Sequence, residues 1–279
     1  GDYTNAVHRT LQSLSAAERL RVRLALVDHY SSYPSVLVPM EKIALLVKAE
    51  THGKALVFVD GAHALGQVPI DLQQHHNSGV DFYVMDGHKW FMSPKGSGLL
   101  WAAPAVQDLL VPDVISSENA PGTPFQEAFH YVGTRDYGPW CAMADAVDFR
   151  RQRLGGERRI TSYLHELATY AHRTLTKRWG AEAVAPANMS GGLITVELPI
   201  PREWSSEAQD GCAKLFGDTF RDTYNMQIIP FTLEMHGRRS HVVRLSAQVY
   251  LEHSDFDNLA ANALEFVKTC NASSDETAV

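Results

Sequence analysis

Lys89 stands between His88 and Trp90, four positions after the end of an apolar run at residues 80–85. The run is typical of a buried strand, so the lysine is expected where a strand ends. A lysine partly shielded from water loses its proton more readily, and a neutral amine is the nucleophile that forms a Schiff base with a carbonyl group. The segment therefore indicates covalent amine chemistry. A surface lysine in a turn is the alternative.

Asp60 closes a second apolar run, and His63 follows three residues later. A carboxylate at the end of a buried strand needs a partner, because an isolated buried charge costs several kcal/mol. A protonated heterocyclic nitrogen would be such a partner, and the contact would keep that nitrogen charged. His63 would reach the same ligand. Alternatively, Asp60 caps the helix that follows it.

These residues need a scaffold, and the sequence predicts a sheet. Apolar runs at residues 24–27, 55–59, 80–85 and 98–102 predict strands, and a helical pattern begins at Pro39 and ends near Gly53. Strands that alternate with helices favour an α/β fold with a mostly parallel sheet and helices on both faces. Chemistry in such sheets gathers at the carboxyl ends of the strands, where Asp60 and Lys89 are expected.

The C-terminal part predicts a smaller α+β domain. A long helical pattern covers residues 145–179 and is interrupted at Gly155 and Gly156. Further strands are predicted at residues 193–198, 227–231 and 242–245, with helices at residues 208–224 and 255–269. We expect a large cofactor-binding domain over residues 1–170 and a small domain over residues 171–279.

Four ordered motifs resemble the class V aminotransferase family, which includes cysteine desulfurases, kynureninases and isopenicillin N epimerases. They are Asp60 to Ala64, His88 to Trp90 with Pro94 to Gly96, Gly133 to Asp136, and Arg244 to Tyr250. The residues of the first two motifs are most similar to those of the isopenicillin N epimerase-like branch. The resemblance covers the chain from Leu24 to about Phe266. It implies pyridoxal 5′-phosphate (PLP) as cofactor and the fold type I architecture.

The resemblance also implies roles for five cofactor-binding residues. Lys89 would hold PLP as a Schiff base and then move the substrate Cα proton, which makes it the catalytic residue. Asp60 would pair with the pyridine nitrogen and keep the ring an electron sink. His63 would lie near the ring's phenolic oxygen, and His88 would help to bind the phosphate. Thr134 would reach a phosphate across the interface of a homodimer.

Arg244 would bind the α-carboxylate of an amino acid substrate through its planar guanidinium group, unless it forms a structural salt bridge. Asp86 departs from the family pattern, because a serine, threonine or asparagine is common there and a carboxylate repels a phosphate. Family members also begin well upstream of residue 1. We therefore expect this chain to be a fragment of a longer protein.

The reaction is left open by the sequence. Cys141, Cys212 and Cys270 are predicted to be ordinary cysteines, which disfavours persulfide transfer and fits a cytoplasmic protein. Epimerisation, elimination by a C–S lyase and transamination remain, and so does a catalytically silent homologue that serves as a binding module. Epimerisation needs a second acid, for which the candidates are His29, Tyr30, His130 and Tyr131.

Composition narrows the class of protein further. A formal charge of −7 is spread along the chain, and no apolar run is long enough to cross a bilayer, so neither nucleic acid nor membrane is an expected partner. The histidine spacing predicts no metal site. The basic cluster from Arg150 to Arg159 is interpreted as a solvated helix face, with phosphate binding as the alternative.

Overall fold

The computed structural model describes residues 3–114, 116, 120, 122–131 and 133–275. Its helices are α1 (Tyr3–Gln12), α2 (Ala16–Arg19), α3 (Met40–Glu50), α4 (Leu72–Asn77), α5 (Phe125–Ala128), α6 (Gly138–Cys141), α7 (Met143–Gln152), α8 (Glu157–Trp179), α9 (Ser206–Tyr224) and α10 (His253–Asp275). Its strands are β1 (Leu24–Asp28), β2 (Tyr30–Ser31), β3 (Val36–Leu37), β4 (Leu56–Asp60), β5 (Phe82–Asp86), β6 (Gly98–Ala102), β7 (Leu193–Glu197), β8 (Ile229–Met235) and β9 (Arg238–Ser246). Short 3₁₀ helices cover Pro104–Leu109 and Ala187–Met189.

The described chain forms two compact units. Unit 1 contains the residues up to Tyr30 together with Val38–Glu157, and unit 2 contains Ser31–Leu37 and the residues from Arg158 onward. Helix α8 belongs to the core of unit 2, because its apolar residues pack there. These compact units are defined by contacts within this structure and do not test where the family divides into domains. The expected domain boundary at residue 170 therefore stays a prediction.

Unit 1 is built on a four-stranded sheet in the order β1-β4-β5-β6. Strands β1, β4 and β5 are parallel, and β6 is antiparallel to β5. Parallel neighbours need a crossover, and α3 and α4 lie in the two connections between them. The predicted mostly parallel sheet is confirmed, and α3 begins directly after Pro39, as the sequence indicates.

The two faces of this sheet differ in burial. Helices α1 and α3 pack with one face, and their core includes Val57 and Val59 of β4. On the other face, Leu24 and Leu26 of the edge strand β1 are 55% and 68% exposed. Burying apolar side chains of this size is worth about 1.5–3 kcal/mol each. The two exposed leucine side chains of β1 therefore contribute little of this stabilisation, whereas the side chains on the opposite face are packed against α1 and α3.

Unit 2 has a three-stranded antiparallel sheet in the order β7-β9-β8. Strand β7 is buried at all five positions, and its core includes aromatic residues of α9 and α10. The predicted strands and helices of this part are all present, although β8 and β9 are longer than the apolar runs that predicted them. Their extra residues are paired as a hairpin around a turn at His236 and Gly237, where the polar sequence gives no strand signal.

Cys212 of α9 and Cys270 of α10 form a disulfide that connects the two helices, whereas Cys141 is free and exposed. The expectation that all three cysteines are ordinary unpaired residues is therefore wrong for this pair. The reason is tertiary, since the two helices pack together across 58 residues of sequence. No helix among the described residues is both long and apolar enough to span a bilayer.

Candidate active site

Each of the three parallel strands of unit 1 ends in an aspartate. Asp28 closes β1, Asp60 closes β4 and Asp86 closes β5. Because β1, β4 and β5 are neighbours and run in the same direction, their final residues meet at one edge of the sheet. This carboxyl edge is the site where the sequence predicts chemistry.

Asp60 is half-buried, and its side chain accepts a hydrogen bond from the backbone N–H of Ala62 at 2.9 Å. This bond fixes the turn that leaves β4 and leads to His63. Asp60 is paired in register with Asp28 of β1. Burial, together with the charge of Asp60, raises the pKa of Asp28 above its ordinary value.

Two carboxylates lie side by side at this end of the sheet. Asp60 makes no ion pair with any lysine, arginine or histidine of the described residues. Like charges at neighbouring strand ends repel each other, and a cation placed between or above them would remove the repulsion. The electrostatics of the site therefore favour a positively charged ligand atom near Asp60.

Lys89 lies three residues beyond the end of β5, and its side chain is 32% exposed. Its Nζ is 2.7 Å from Oδ2 of Asp86, and Nε2 of His88 is 3.8 Å from the same oxygen. Nδ1 of His88 is 3.2 Å from the backbone oxygen of Ser97. Asp86, which departs from the family pattern, thus faces the lysine.

The Asp60 and Lys89 segments are connected through the backbone of β5. Asp60 is in register with Val84, and the N–H of Gly61 donates to the oxygen of Val84 at 2.8 Å. A Cβ at Gly61 would lie 2.2 Å from the ring of Tyr83, so only glycine fits where the chain leaves β4. The structure thus brings the two predicted segments to the same edge of one sheet.

A buried polar layer lies behind this edge, and sequence reasoning missed it. Nδ1 of His29 is hydrogen-bonded to the hydroxyl of Tyr83, and His75 stacks on the Tyr83 ring and contacts Glu41 at 2.7 Å. Burial, with a smaller contribution from His75, lowers the pKa of His29 to about 4. Burial and the charge of Asp60 raise the pKa of Tyr83. Both side chains are therefore neutral near pH 7.

The two remaining predicted residues are Thr134 in unit 1 and Arg244 in unit 2. Thr134 is exposed in the loop between α5 and α6 of unit 1. Arg244 is in β9 of unit 2, where its Nη1 donates to the hydroxyl of Ser32 at 2.7 Å and its guanidinium lies 4.3 Å from the centre of the Tyr33 ring. These two contacts hold the guanidinium plane in place. Among the described residues no carboxylate pairs with Arg244, so the alternative of a salt bridge finds no support there.

The residues at the carboxyl edge fit PLP in their chemistry. Lys89 supplies an amine for the aldehyde, Asp60 supplies a carboxylate, and His63 and His88 supply imidazoles close to them in the sequence. Among the described residues Asp60 makes no ion pair, and this observation decides the fit, since a protonated ring nitrogen is the kind of cation that this position favours.

The aminotransferase class-V family profile matches residues 3–204. This chain belongs to the class V aminotransferase family. It is 33% identical over 247 residues to the probable chloroplastic L-cysteine desulfhydrase of Arabidopsis thaliana, an alignment that covers 86% of this chain and 50% of the relative. It is 30% identical over 261 residues to the isopenicillin N epimerase of Streptomyces clavuligerus, with 88% of this chain and 60% of the relative covered.

Solved structures with similar folds include the cystine C-S lyase C-DES in complex with its product cysteine persulfide. That comparison has a TM-score of 0.71 at 19% identity and covers 94% of this chain and 64% of the other. The cysteine desulfurase from Thermococcus onnurineus NA1 has a TM-score of 0.66 at 20% identity, with 92% and 64% covered. The chain spans about half the length of the first curated relatives that it matches.

Three predictions are thereby confirmed: the fold type I architecture, membership of the class V aminotransferase family, and PLP as the cofactor. The roles of the individual site residues stay predictions. Because the relatives include both desulfhydrases and an epimerase, the similarity does not decide between these reactions.

Proposed function

We propose that this chain carries the catalytic lysine of a PLP-dependent C–S lyase that acts on a sulfur-containing amino acid. The observation that carries the proposal is the juxtaposition of Asp60 and Lys89 at the carboxyl edge of one parallel sheet. Several relatives named as cysteine desulfhydrases, and the hercynylcysteine sulfoxide lyase of Schizosaccharomyces pombe, support the choice of a lyase.

When bound, PLP supplies an electron sink that stabilises negative charge at the substrate Cα. Lys89 would hold the cofactor and then take the Cα proton at its Nζ. Asp86, 2.7 Å from that nitrogen, would orient the amine toward the substrate. Asp60 would hold the proton of the ring nitrogen, with His63 and His88 placed at the ring oxygen and the phosphate.

The lyase reaction removes the Cα proton and breaks the Cβ–S bond, whose electron pair leaves with the sulfur. With cysteine as substrate and one water consumed, the products are sulfide, ammonia and pyruvate. Arg244 is proposed to bind the substrate α-carboxylate through a bidentate contact. Its contacts with Ser32 and Tyr33 orient the guanidinium group and support this role.

Epimerisation is the second candidate, because of the similarity to isopenicillin N epimerase. It requires an acid on the far face of the substrate. Of the candidates, His29 and Tyr30 are 8% and 2% exposed, and His29 is neutral and bonded to Tyr83. Both are poorly suited to donate a proton to a ligand, whereas the other two candidates, His130 and Tyr131, are exposed. The preference for a lyase therefore rests on the relatives named as desulfhydrases and as a lyase.

The test uses the full-length protein reconstituted with PLP. A yellow protein whose cofactor is fixed on Lys89 by borohydride is expected, with pyruvate, ammonia and sulfide released from L-cysteine. Lys95→Ala, in the exposed loop that follows, is the matched control and should behave as wild type. Racemised amino acid without sulfide would favour the epimerase, and amino-group transfer to an oxo acid would favour transamination. A colourless protein would favour the binding module.

A homodimer and a cytoplasmic location also stay proposals, and the location no longer has the support of unpaired cysteines, because Cys212 and Cys270 form a disulfide. The homodimer rests on the role that the family resemblance implies for Thr134, whose exposure leaves it accessible to another chain. Light scattering of the PLP-loaded protein would measure the mass of the particle, and a monomer would contradict the role of Thr134.

A further inference from the structure

Arg150 of α7 is fully buried, although its sequence context predicts a solvated helix face. The neighbouring arginines of the cluster, at positions 151, 153, 158 and 159, are exposed, so that prediction is wrong for Arg150 alone. Its Nε and Nη2 donate to the two carboxylate oxygens of Glu157, both at 2.6 Å. The bidentate ion pair neutralises the buried charge.

The remaining donors of Arg150 reach the two segments of the candidate site. Nη1 donates to the backbone oxygen of Trp90 at 2.8 Å, and Nη2 donates to the backbone oxygen of Gly66 at 2.9 Å. Trp90 directly follows Lys89. Gly66 lies three residues after His63, in the turn that Asp60 begins. One guanidinium group thus bridges the lysine segment and the aspartate segment.

The two segments touch at this point. Gly66 has φ +89°, and a Cβ there would lie 2.7 Å from the backbone carbon and oxygen of Trp90. The guanidinium also lies 5.0 Å from the centre of the Phe91 ring, which packs over it. A planar group with several donors in fixed directions can hold two separate carbonyl oxygens at once, whereas an ammonium is a compact point charge on a flexible stem.

We propose that Arg150 is a positioning residue that sets the distance between the amine of Lys89 and the carboxylate of Asp60. This inference rests on the proposed function, because it assigns Arg150 to the geometry of the same site. Arg150 acts through Trp90 and Gly66 and touches neither substrate nor cofactor. The buried ion pair with Glu157 keeps the guanidinium in place between the two segments.

The test compares Arg150→Lys with wild type in the full-length protein, using PLP as the probe. The variant keeps the charge and the ion pair with Glu157 but cannot bridge both carbonyl oxygens. We expect PLP to bind on the order of tenfold to a hundredfold more weakly, the size of effect that a shift of about 1 Å produces. We also expect a smaller share of borohydride label on Lys89 and faster hydrogen exchange in residues 61–67 and 87–92.

Arg151→Lys is the matched control, because Arg151 is exposed and pairs with Asp148 on the surface. It should leave every readout unchanged. A lower melting temperature of Arg150→Lys with unchanged PLP affinity and unchanged labelling of Lys89 would show a merely structural role and overturn the proposal. If Arg150→Lys yields no folded protein, Gly66→Ala keeps Arg150 and forces the two segments apart, and the same losses are expected.

The outcome for the wild-type protein separates the two proposals. Label on Lys89 in wild type, with equal label in Arg150→Lys and Gly66→Ala, overturns the positioning role and leaves the proposed function intact. No label on Lys89 in wild type overturns the proposed function, and the positioning role falls with it.

Discussion

Two carboxylates at strand ends, one in each unit, have opposite surroundings. In unit 2, Glu197 is the last residue of β7, and its side chain is 8% exposed. It forms ion pairs with Arg238 at 2.5 Å and with Arg202 at 2.8 Å. Burial alone would raise the pKa of Glu197, but the hydrogen bonds and charges of the two arginines lower it to about 2. In unit 1, Asp60 closes β4 beside Asp28, and burial together with the charge of Asp60 raises the pKa of Asp28.

The difference separates stability from chemistry. A carboxylate held by two guanidinium groups stabilises the fold in which it lies. A carboxylate held beside another carboxylate destabilises it and is available to a cationic ligand atom. Four predictions test this contrast between Glu197 and Asp60, and each names a result that would contradict its part of it.

Lys89→Ala should have the largest effect. The change removes the amine that would hold PLP and move the Cα proton, so turnover of L-cysteine should fall by at least about 10⁴-fold. Stability should change little, since the side chain is one-third exposed and its only ion pair among the described residues is with Asp86. The measurement is pyruvate release by the PLP-loaded protein, with Lys95→Ala as control. Wild-type turnover in Lys89→Ala would end the assignment of unit 1 as the catalytic unit.

Asp60→Asn should separate function from stability within one residue. Loss of the carboxylate that would keep the ring nitrogen protonated should lower turnover by about 10²–10³-fold, in the range of a lost electrostatic contact in a site. The same change removes the repulsion with Asp28, so the cofactor-free protein should become more stable by a few tenths to about 1 kcal/mol.

The two measurements for Asp60→Asn are pyruvate release and a urea titration without PLP. Asp71→Asn is the control for loss of a carboxylate, because Asp71 caps α4 and its replacement keeps a capping side chain. A clear loss of stability in cofactor-free Asp60→Asn would mean that Asp60 is a structural residue like Glu197, and the contrast between the units would disappear.

Glu197→Gln should destabilise the protein by about 2–3 kcal/mol at pH 7, because it removes the more buried of the two carboxylates that pair with Arg238 and Arg202 and leaves only Glu182 to both. The two arginines are partly exposed, which keeps the loss below that of a fully buried pair. The urea midpoint reports the loss, and PLP binding should not change. Glu207→Gln, on the exposed side of α9, is the control. Equal stability of Glu197→Gln and wild type would show that the ion pairs contribute nothing.

Much of the fold follows from the sequence, for a local reason. The apolar runs that form β1, β4, β5 and β7 are short and bounded by polar residues, and a run of that kind predicts a strand without any knowledge of its partners. Asp60 and Lys89 could be placed at one edge because parallel neighbours align their carboxyl ends.

The remaining features depend on contacts that are distant in sequence. Arg150 lies in a run of arginines and glycines that is indistinguishable from a solvated helix face, and its burial comes from carbonyl oxygens 60 and 84 residues away. The Cys212–Cys270 disulfide depends on the packing of α9 against α10 in the same way. From the sequence, Asp86 is only a departure from a phosphate-binding pattern. Its contact with Lys89 depends on the conformation of the turn after β5, which the residue types do not reveal.

The buried histidine of unit 1 predicts a pH dependence of stability. His29 is 8% exposed, and its pKa of about 4 in the folded protein lies below the ordinary value of 6.5. Above pH 6.5 the imidazole is neutral in both states and contributes no pH dependence. As the pH falls from 6.5 toward 4, the unfolded chain takes up a proton that the folded protein does not, so the folded state loses stability. Glu197, with its pKa lowered to about 2, should remain charged through this window. We therefore expect wild type to lose about 1–2 kcal/mol of unfolding free energy between pH 7 and pH 5 through His29.

His29→Gln, measured by urea titration at both pH values, should remove most of that loss, and His52→Gln, at an exposed turn after α3, should keep it. A pH dependence unchanged by His29→Gln would place the acid sensitivity outside the polar layer behind the site, and the contrast between the two units would then concern their carboxylates alone.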